Sequence, residues 1–216
     1  MVIPPMSKPT TPCRGLLIAF EGLDGAGKTT QLGLLYDHLL QQGQDVVRLR
    51  EPTEGPWGQM LRQLMVQGRG DVTPDTELEW FLSDRREHVE QCIRPALNRK
   101  QTVLLDRYYF STMAYQGALG CDPQDIRARN EAFAPPPDLL LLMDLPPEVG
   151  WQRLKQRGTP SHFERLDYLE RVAGIFDTMD FPYLRRIPAD REPQVVQSQV
   201  RHEVHELLQR HAQTGG

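Results

Sequence analysis

The chain has 216 residues, of which 39% are hydrophobic and 25% are charged, and its formal net charge is −4 at neutral pH. A chain of this length buries roughly 70% of its unfolded surface, so one large domain needs neither a metal nor disulfides for stability. The acidic balance argues against a nucleic-acid partner, although a small anionic ligand held by a few arginines remains open.

The ends of the chain and its cysteines bear on its location. The Pro/Thr-rich start, residues 1–13, and the end, residues 212–216, are expected to be flexible tails of a single domain over residues 14–211. No apolar run approaches the ~18 residues that a membrane-spanning helix requires. The three cysteines are scattered without metal-ligand spacing, which is typical of free thiols in a reducing compartment. We therefore expect a cytoplasmic protein without a membrane partner.

Short apolar runs alternate with helical patterns along the chain. Residues 16–20 predict a first strand, and the leucine spacing after Thr29 predicts a helix over residues 29–42. Further strands are predicted at residues 45–49, 102–105, 139–143 and, more weakly, 183–187, and a closing helix at residues 193–211. Buried strands that alternate with helices indicate a parallel sheet covered on both faces.

The segment GLDGAGKT connects the first strand to the first helix and matches the pattern GxxxxGK[ST]. Its glycines let successive backbone N–H groups turn toward a phosphate, and the helix N-terminus adds positive potential. Lys28 can neutralise β- and γ-phosphate oxygens, and Thr29 can hold Mg²⁺. We expect the phosphates of a nucleotide to contact Gly22, Leu23, Asp24, Gly25, Ala26, Gly27, Lys28, Thr29 and Thr30.

Kinases, switch GTPases and motor ATPases all carry this phosphate loop. No guanine-reading NKxD motif follows a late strand, and no basic surface suits a nucleic acid, so a small-molecule phosphotransferase fits best. Such an enzyme needs a second anion site at the carboxyl ends of the strands. Arg107 follows a buried strand there, and Asp106 beside it can serve Mg²⁺ directly or through water. The alternative for this pair is a surface salt bridge.

Residues 73–97 predict a helix in which Thr73 is the N-cap. Arg85 falls on its apolar stripe, where a buried cation requires either an internal carboxylate or a ligand. Phe81 lies one turn earlier on the same face, so Phe81 can stack against a planar base while Arg85 donates hydrogen bonds to it. Phe81 considered alone would be assigned to the hydrophobic core. The predicted stripe consists of Leu78, Leu82, Val89, Cys92 and Ala96.

The chain resembles the thymidylate kinases, a family of nucleoside monophosphate kinases, over residues 14–210. The resemblance is densest in FEGLDGAGKTTQ, REP, FLSDRREH, IRPAL and DRYYFSTMAYQG. It implies a three-layer α/β P-loop NTPase fold with a five-stranded parallel sheet and helices on both faces. It also implies a homodimer that uses ATP and Mg²⁺ and transfers the γ-phosphate of ATP to dTMP, giving dTDP.

The resemblance assigns roles to individual residues. Phe81 would stack on thymine, Arg85 would donate to a thymine carbonyl, and Asp24 would meet the 3′-hydroxyl of the sugar. The other implied dTMP contacts are Arg62 and Arg107 to the phosphate, Ser111 and Thr112 to the base, and Tyr115 and Gln116 against a 2′-hydroxyl. Catalysis would use Lys28, Asp106 and Arg107 together with a cation from a closing lid.

Two segments depart from the family pattern. The lid is expected at about residues 153–165, but His162 replaces the usual arginine, so Arg157 or Arg165 could supply the cation. A solvated helix end is the alternative for this basic stretch. REPTEGPWG replaces REPGGT and brings Glu54 near the acceptor phosphate. A nucleotide or deoxynucleoside kinase with another acceptor, or a non-catalytic nucleotide-binding protein, therefore remains the alternative.

Overall fold

The computed structural model describes residues 14–157 and 166–214. A parallel sheet of five strands lies at the centre, in the order β2-β3-β1-β4-β5. Its strands are β1 (Leu17–Gly22), β2 (Val46–Arg50), β3 (Thr102–Asp106), β4 (Leu139–Asp144) and β5 (Leu184–Pro188). All five predicted strands are confirmed, with ends that shift by one or two residues.

Helices cover both faces of this sheet. They are α1 (Lys28–Gln41), α2 (Pro56–Gln67), α3 (Pro74–His88), α4 (Arg94–Asn98), α5 (Tyr109–Gly117), α6 (Pro123–Glu131), α7 (Pro147–Arg157), α8 (Leu166–Asp177) and α9 (Pro193–Thr214). Helices α1 and α9 pack on one face, and α3, α5 and α8 pack on the other. The predicted three-layer α/β fold is therefore confirmed.

The central strand β1 is buried on both faces, which explains its continuous apolar sequence. Leu17 and Ala19 contribute to the core under α3 and α5, whereas Ile18 and Phe20 contribute to the core under α1 and α9. The strand order reverses on either side of β1, so the carboxyl ends of β1 and β3 open onto a crevice where α/β proteins bind ligands.

The helix predicted over residues 73–97 is interrupted by a π-helical turn, Val89–Ile93. Pro95 follows this turn and has no N–H to continue the α-helical ladder, while its ring crowds the carbonyl four residues earlier. A π-helical turn accommodates both effects and shifts the buried face by one residue. Ile93 is therefore fully buried and Cys92 is exposed, so the prediction that Cys92 belongs to the apolar stripe is wrong.

Other boundaries also differ from expectation. Helix α9 continues three residues past its predicted end, to Thr214, although its last buried apolar residue is Leu207. Residues 1–13, 158–165 and 215–216, which include Arg165, lie outside the described residues, as does the side chain of Arg157. None of the helices in the described ranges is long and apolar enough to cross a membrane.

Candidate active site

The phosphate loop leads from the end of β1 into α1. Gly25 and Gly27 adopt φ angles of 83° and 85°, which L side chains rarely adopt, so glycine is required at both positions. The ammonium group of Lys28 is buried under the loop and donates to the carbonyls of Gly22 at 3.0 Å and Leu23 at 2.7 Å. Burial, with a smaller effect of nearby Arg107, lowers the pKa of Lys28 to about 8. A phosphate in the loop would favour its charged form.

Two side-chain oxygens that could bind a metal ion meet at the mouth of the loop. The hydroxyl of Thr29, at the start of α1, donates to the carboxylate of Asp106, at the end of β3, over 2.5 Å. Hydroxyl and carboxylate oxygens suit Mg²⁺, which completes its shell with water and substrate phosphates. No group of three or more His, Cys, Asp or Glu side chains that could hold a metal alone occurs among the described residues.

Arg107 directly follows β3 and has a φ angle of 70°, which is uncommon for a residue other than glycine. The turn directs its guanidinium back over β1, where it is bonded to the carboxylate of Asp24 and donates to Ser111 Oγ at 2.9 Å. Burial opposes its charge, but Asp24 raises the pKa of Arg107 above the ordinary value. A permanent cation therefore lies beside the phosphate loop.

Glu21 fixes the turn that carries this arginine. Its fully buried carboxylate accepts the backbone N–H groups of Tyr108 at 2.7 Å and Ser111 at 3.0 Å, and it also accepts the hydroxyl of Ser111. Burial raises the pKa of Glu21, which these hydrogen bonds and Arg107 partly counter. The sequence analysis missed Glu21, although an acid as the fifth residue of a buried strand was a visible signal.

A cleft of about 230 Å³ extends from Arg107 toward α3 and α5. The structure brings eight of the residues predicted for the acceptor together in its wall: Asp24, Phe81, Arg85, Arg107, Ser111, Thr112, Tyr115 and Gln116. Arg62 lies outside this set. Residues that the sequence analysis did not single out also line the cleft, namely Arg50, Glu51, Pro52, Met65, Glu77, Tyr108 and Tyr168.

Arg85 is only 1% exposed, and a carboxylate compensates its charge. Its Nε donates to Glu51 at 2.8 Å, and its terminal nitrogens donate to Asn130 at 2.7 Å and Thr112 at 3.0 Å. The prediction that Arg85 needs an internal carboxylate or a ligand is thus met by Glu51. A guanidinium has five N–H groups, so the three bonds hold the plane of Arg85 and leave N–H groups for a ligand in the cleft.

Glu51 is itself held by an arginine and a histidine. Besides Arg85, it contacts His88, whose Nδ1 lies 3.0 Å from the Glu51 carboxylate. Burial acts to raise the pKa of Glu51, but Arg85 and His88 hold it below its ordinary value. The sequence could not reveal these contacts because β2 and α3 are far apart along the chain.

The polar residues of the cleft fall into two groups. At the loop end, the hydroxyl of Tyr115 donates to the carboxylate of Asp24 at 2.7 Å. At the other end, Glu77, Phe81 and Arg85 follow one another at intervals of four along α3, and Gln116 on α5 donates to Glu77 at 2.9 Å. The loop end therefore adjoins the phosphate loop, whereas the α3 end offers a planar aromatic side chain, a cation and an amide.

Arg62 and Glu54 form an ion pair next to this cleft. The guanidinium of Arg62 contacts the Glu54 carboxylate at 2.8 Å and donates to the carbonyl of Pro52 at 3.0 Å. The Glu54 side chain is 92% exposed, so this ion pair is open to solvent. The acid that the sequence places near the acceptor phosphate thus neutralises the arginine expected to bind that phosphate.

A second cleft, of about 380 Å³, lies on the other side of the phosphate loop. It is bordered by Gly25, Thr30 and the segment 189–193 that leads into α9. Arg153 on α7 joins these parts, because it donates to the carbonyls of Gly25 and Ala189, each at 3.2 Å. One cation of the predicted lid region therefore already contacts the loop.

Comparison with known proteins agrees with this arrangement. A family model described as thymidylate kinase matches residues 20–200. The chain is 49% identical to a thymidylate kinase of Desulfotalea psychrophila over 196 residues, which cover 90% of this chain and 96% of that protein. It is 47% identical to one of Akkermansia muciniphila over 188 residues, or 87% and 90% of the two chains. It is also 52% identical to one of Xanthomonas campestris over 169 residues, which cover 78% of this chain and 73% of that protein.

Proposed function

The chain belongs to the thymidylate kinase family, and from the two ends of its cleft we propose how it transfers the γ-phosphate of ATP to dTMP. The observation that carries the proposal is the position of Arg107. This cation lies between the phosphate loop and the cleft and is bonded to the loop residue Asp24. It can therefore hold the phosphate of the acceptor against the donor phosphate.

The donor binds along the phosphate loop. The backbone N–H groups from Gly25 to Thr30 surround the β-phosphate, and the start of α1 adds its positive potential. Lys28 exchanges its carbonyl partners for phosphate oxygens, which supports its charged form. The cleft beside Arg153 is open to the loop and suits the nucleoside part of ATP.

The acceptor base binds at the α3 end of the cleft. Phe81 offers an aromatic face for stacking, and Arg85 offers N–H groups to a thymine carbonyl. The resemblance assigns Gln116 to the sugar, but its bond to Glu77 supports a position beside the base. Its buried Oε1 has no hydrogen-bond partner among the described residues, and an N3–H group of thymine would supply one.

The sugar and phosphate bind at the loop end. Asp24 and Tyr115 form a polar pair that suits the deoxyribose, and the resemblance implies that Tyr115 disfavours a 2′-hydroxyl there. Arg107 keeps its bonds to Ser111 and Asp24 and offers its remaining N–H groups to the acceptor phosphate. Arg62 exchanges Glu54 for a phosphate oxygen, so binding of the acceptor must displace an ion pair.

The reaction follows from this placement. An oxygen of the dTMP phosphate attacks the γ-phosphorus of ATP. The bond between the γ-phosphorus and the β–γ bridging oxygen breaks, and ADP leaves with that oxygen. Phosphoryl transfer asks for alignment and charge neutralisation rather than a general base. Lys28 and Arg107 supply the charge, and Arg157 or Arg165 remains the proposed lid cation.

Thr29 and Asp106 are the proposed Mg²⁺ residues. Their oxygens are of the type that Mg²⁺ prefers, and they lie together beside the position of the donor phosphates. Bound there, Mg²⁺ would offset the charge of the β- and γ-phosphates.

We also propose a cytoplasmic homodimer, on the basis of the family resemblance. Cys92 and Cys121 are free thiols, which suits a reducing compartment. Light scattering on the purified protein measures the oligomeric state. A dimer mass at micromolar concentration is the expected result, and a monomer mass contradicts it.

A panel of acceptors tests the proposed function. ADP release is measured with dTMP, dUMP, UMP, dCMP, dGMP and thymidine at equal concentrations. We expect the highest kcat/KM with dTMP and a much lower value with UMP because of its 2′-hydroxyl. Preference for thymidine would indicate a nucleoside kinase, and ATP binding without turnover of any acceptor would indicate a non-catalytic protein.

A further inference from the structure

The side-chain amide of Gln116 has two ends with opposite hydrogen-bonding properties. Its Oε1 accepts hydrogen bonds and its Nε2 donates them. Thymine and uracil carry a donor at N3, whereas cytosine carries an acceptor there. The orientation of this amide therefore decides which kind of base can bind beside it.

Glu77 determines that orientation. An ionised carboxylate only accepts hydrogen bonds, so the end of Gln116 that lies 2.9 Å from Glu77 Oε1 must be the amide nitrogen. The oxygen is then the end without a partner among the described residues, and Gln116 borders the acceptor cleft. Gln116 and Glu77 are each only 1% exposed, so water does not compete for this bond.

Arg69 keeps the carboxylate in place from the other side. Its Nε donates to Glu77 Oε2 at 2.7 Å, so each carboxylate oxygen has its own donor. Glu77 lies in the first turn of α3, where the helix dipole favours a negative charge. Glu77 is therefore held between Arg69 and Gln116 and accepts a hydrogen bond from each of them.

We propose that Glu77 is a positioning residue that selects acceptors with an N3–H group by fixing the amide of Gln116. The proposal rests on the base-end position proposed above for Gln116. It predicts that Glu77 disfavours binding of dCMP, because the acceptor N3 of cytosine would face the Oε1 lone pair of Gln116. It also predicts that Glu77 does not separate dUMP from dTMP, because both bases carry the same group at N3.

The variant Glu77→Gln tests the proposal with a nearly unchanged shape. Arg69 only donates, so it holds the oxygen of the new amide, which then presents its NH₂ group to Gln116. Gln116 must turn its own oxygen toward that group and its nitrogen toward the cleft. We expect kcat/KM for dTMP to fall about ten- to a hundredfold and the dCMP-to-dTMP ratio of kcat/KM to rise at least about tenfold.

Two controls accompany this variant. Glu79→Gln makes the same change on the same helix at a side chain that is 60% exposed. It should leave kcat/KM for dTMP and for dCMP unchanged. Glu77→Asp keeps an acceptor-only group and should keep the ratio close to that of the unaltered enzyme. If Glu77 had a purely structural role, Glu77→Gln would lower kcat/KM for dTMP and for dCMP by similar factors. A dCMP-to-dTMP ratio of kcat/KM that rises less than about threefold in Glu77→Gln therefore overturns the proposal.

The variant Gln116→Ala separates this inference from the proposed function. If it lowers kcat/KM for dTMP but Glu77→Gln leaves the ratio unchanged, Gln116 binds the base and the inference about Glu77 is wrong. If Gln116→Ala leaves kcat/KM for dTMP unchanged, the base-end position itself is wrong.

If Glu77→Gln does not fold, NMR of the unaltered protein with dTMP gives the answer. The side-chain NH₂ proton of Gln116 that is bonded to Glu77 should exchange slowly with water, and rapid exchange of both protons overturns the proposal.

Discussion

The guanidinium of Arg107 is bonded to the carboxylate of Asp24, and this pair joins the end of β3 to the phosphate loop. The phosphate loop and the cleft therefore share one ion pair. A phosphate that arrives in the cleft meets a cation whose position is already set by Asp24, Ser111 and the buried Glu21. Little reorganisation is needed at the moment of transfer, which is the condition for effective electrostatic catalysis.

Replacing Arg107 tests its place in the reaction. Arg107→Ala should lower kcat/KM for dTMP by about a hundred- to a thousandfold, because the acceptor phosphate loses its fixed cation. ATP binding, measured by calorimetry, should persist because Lys28 and the loop backbone remain. Arg129→Ala, at a surface ion pair on α6, is the matched control. An intact rate in Arg107→Ala would show that this cation does not bind the acceptor phosphate.

Phe81 should contribute to binding more than to chemistry. Removal of its ring in Phe81→Ala leaves the loop end of the cleft unchanged, so we expect KM for dTMP to rise by more than kcat falls. Steady-state kinetics with saturating ATP separate the two constants. A fall in kcat with an unchanged KM would mean that Phe81 acts only in the transition state.

Glu54 should weaken acceptor binding. In Glu54→Gln, Arg62 no longer has to leave an ion pair, so KM for dTMP should fall about two- to fivefold at low salt. The gain should shrink as salt rises, because the pair is exposed and therefore screened. Kinetics at two ionic strengths measure both effects. A higher KM in Glu54→Gln would instead make Glu54 part of the binding site.

The pair of Glu51 and Arg85 should make stability depend on pH. Arg85 and His88 hold the pKa of Glu51 below 4.5 in the folded protein, despite its burial. The contribution of Glu51 to the free energy of unfolding is therefore complete at pH values above its pKa in the unfolded chain. This contribution is lost as the pH falls through the depressed folded pKa. Glu51→Gln should cost about 3 kcal/mol at pH 7, since it leaves Arg85 buried without a carboxylate.

Urea unfolding across the acid range checks this expectation. The unaltered protein should lose stability more steeply below about pH 4.5 than Glu51→Gln does, because only the unaltered protein carries this depressed carboxyl. Parallel profiles for the two proteins would show that Glu51 does not titrate with a depressed pKa.

The sequence predicted the parts of this site that depend on local pattern. The apolar runs gave all five strands, the glycine motif located the phosphate loop, and the charge of Arg85 on an apolar stripe indicated an unusual environment. Local pattern failed where a single residue changed the geometry. Pro95 imposed a π-helical turn, so Ile93 rather than Cys92 entered the core.

Contacts between distant segments could not be predicted from the sequence. Glu51, just after β2, neutralises Arg85, and Asn130 on α6 orients it, but no spacing along the chain indicates either contact. The position of Glu77 could have been predicted from the sequence, because it lies one turn before Phe81 on the same face of α3. Its role depends on Gln116, which only the packing of α5 against α3 brings close.

A competition among acceptors tests the central claim most directly. The enzyme is given limiting ATP and equal concentrations of dTMP, dUMP, UMP and dCMP, and the diphosphate products are separated by chromatography. If the cleft is built for thymidylate, dTDP is the main product, with little UDP and less dCDP. Products in equal amounts, or an excess of dCDP or UDP over dTDP, would contradict the assignment of the cleft.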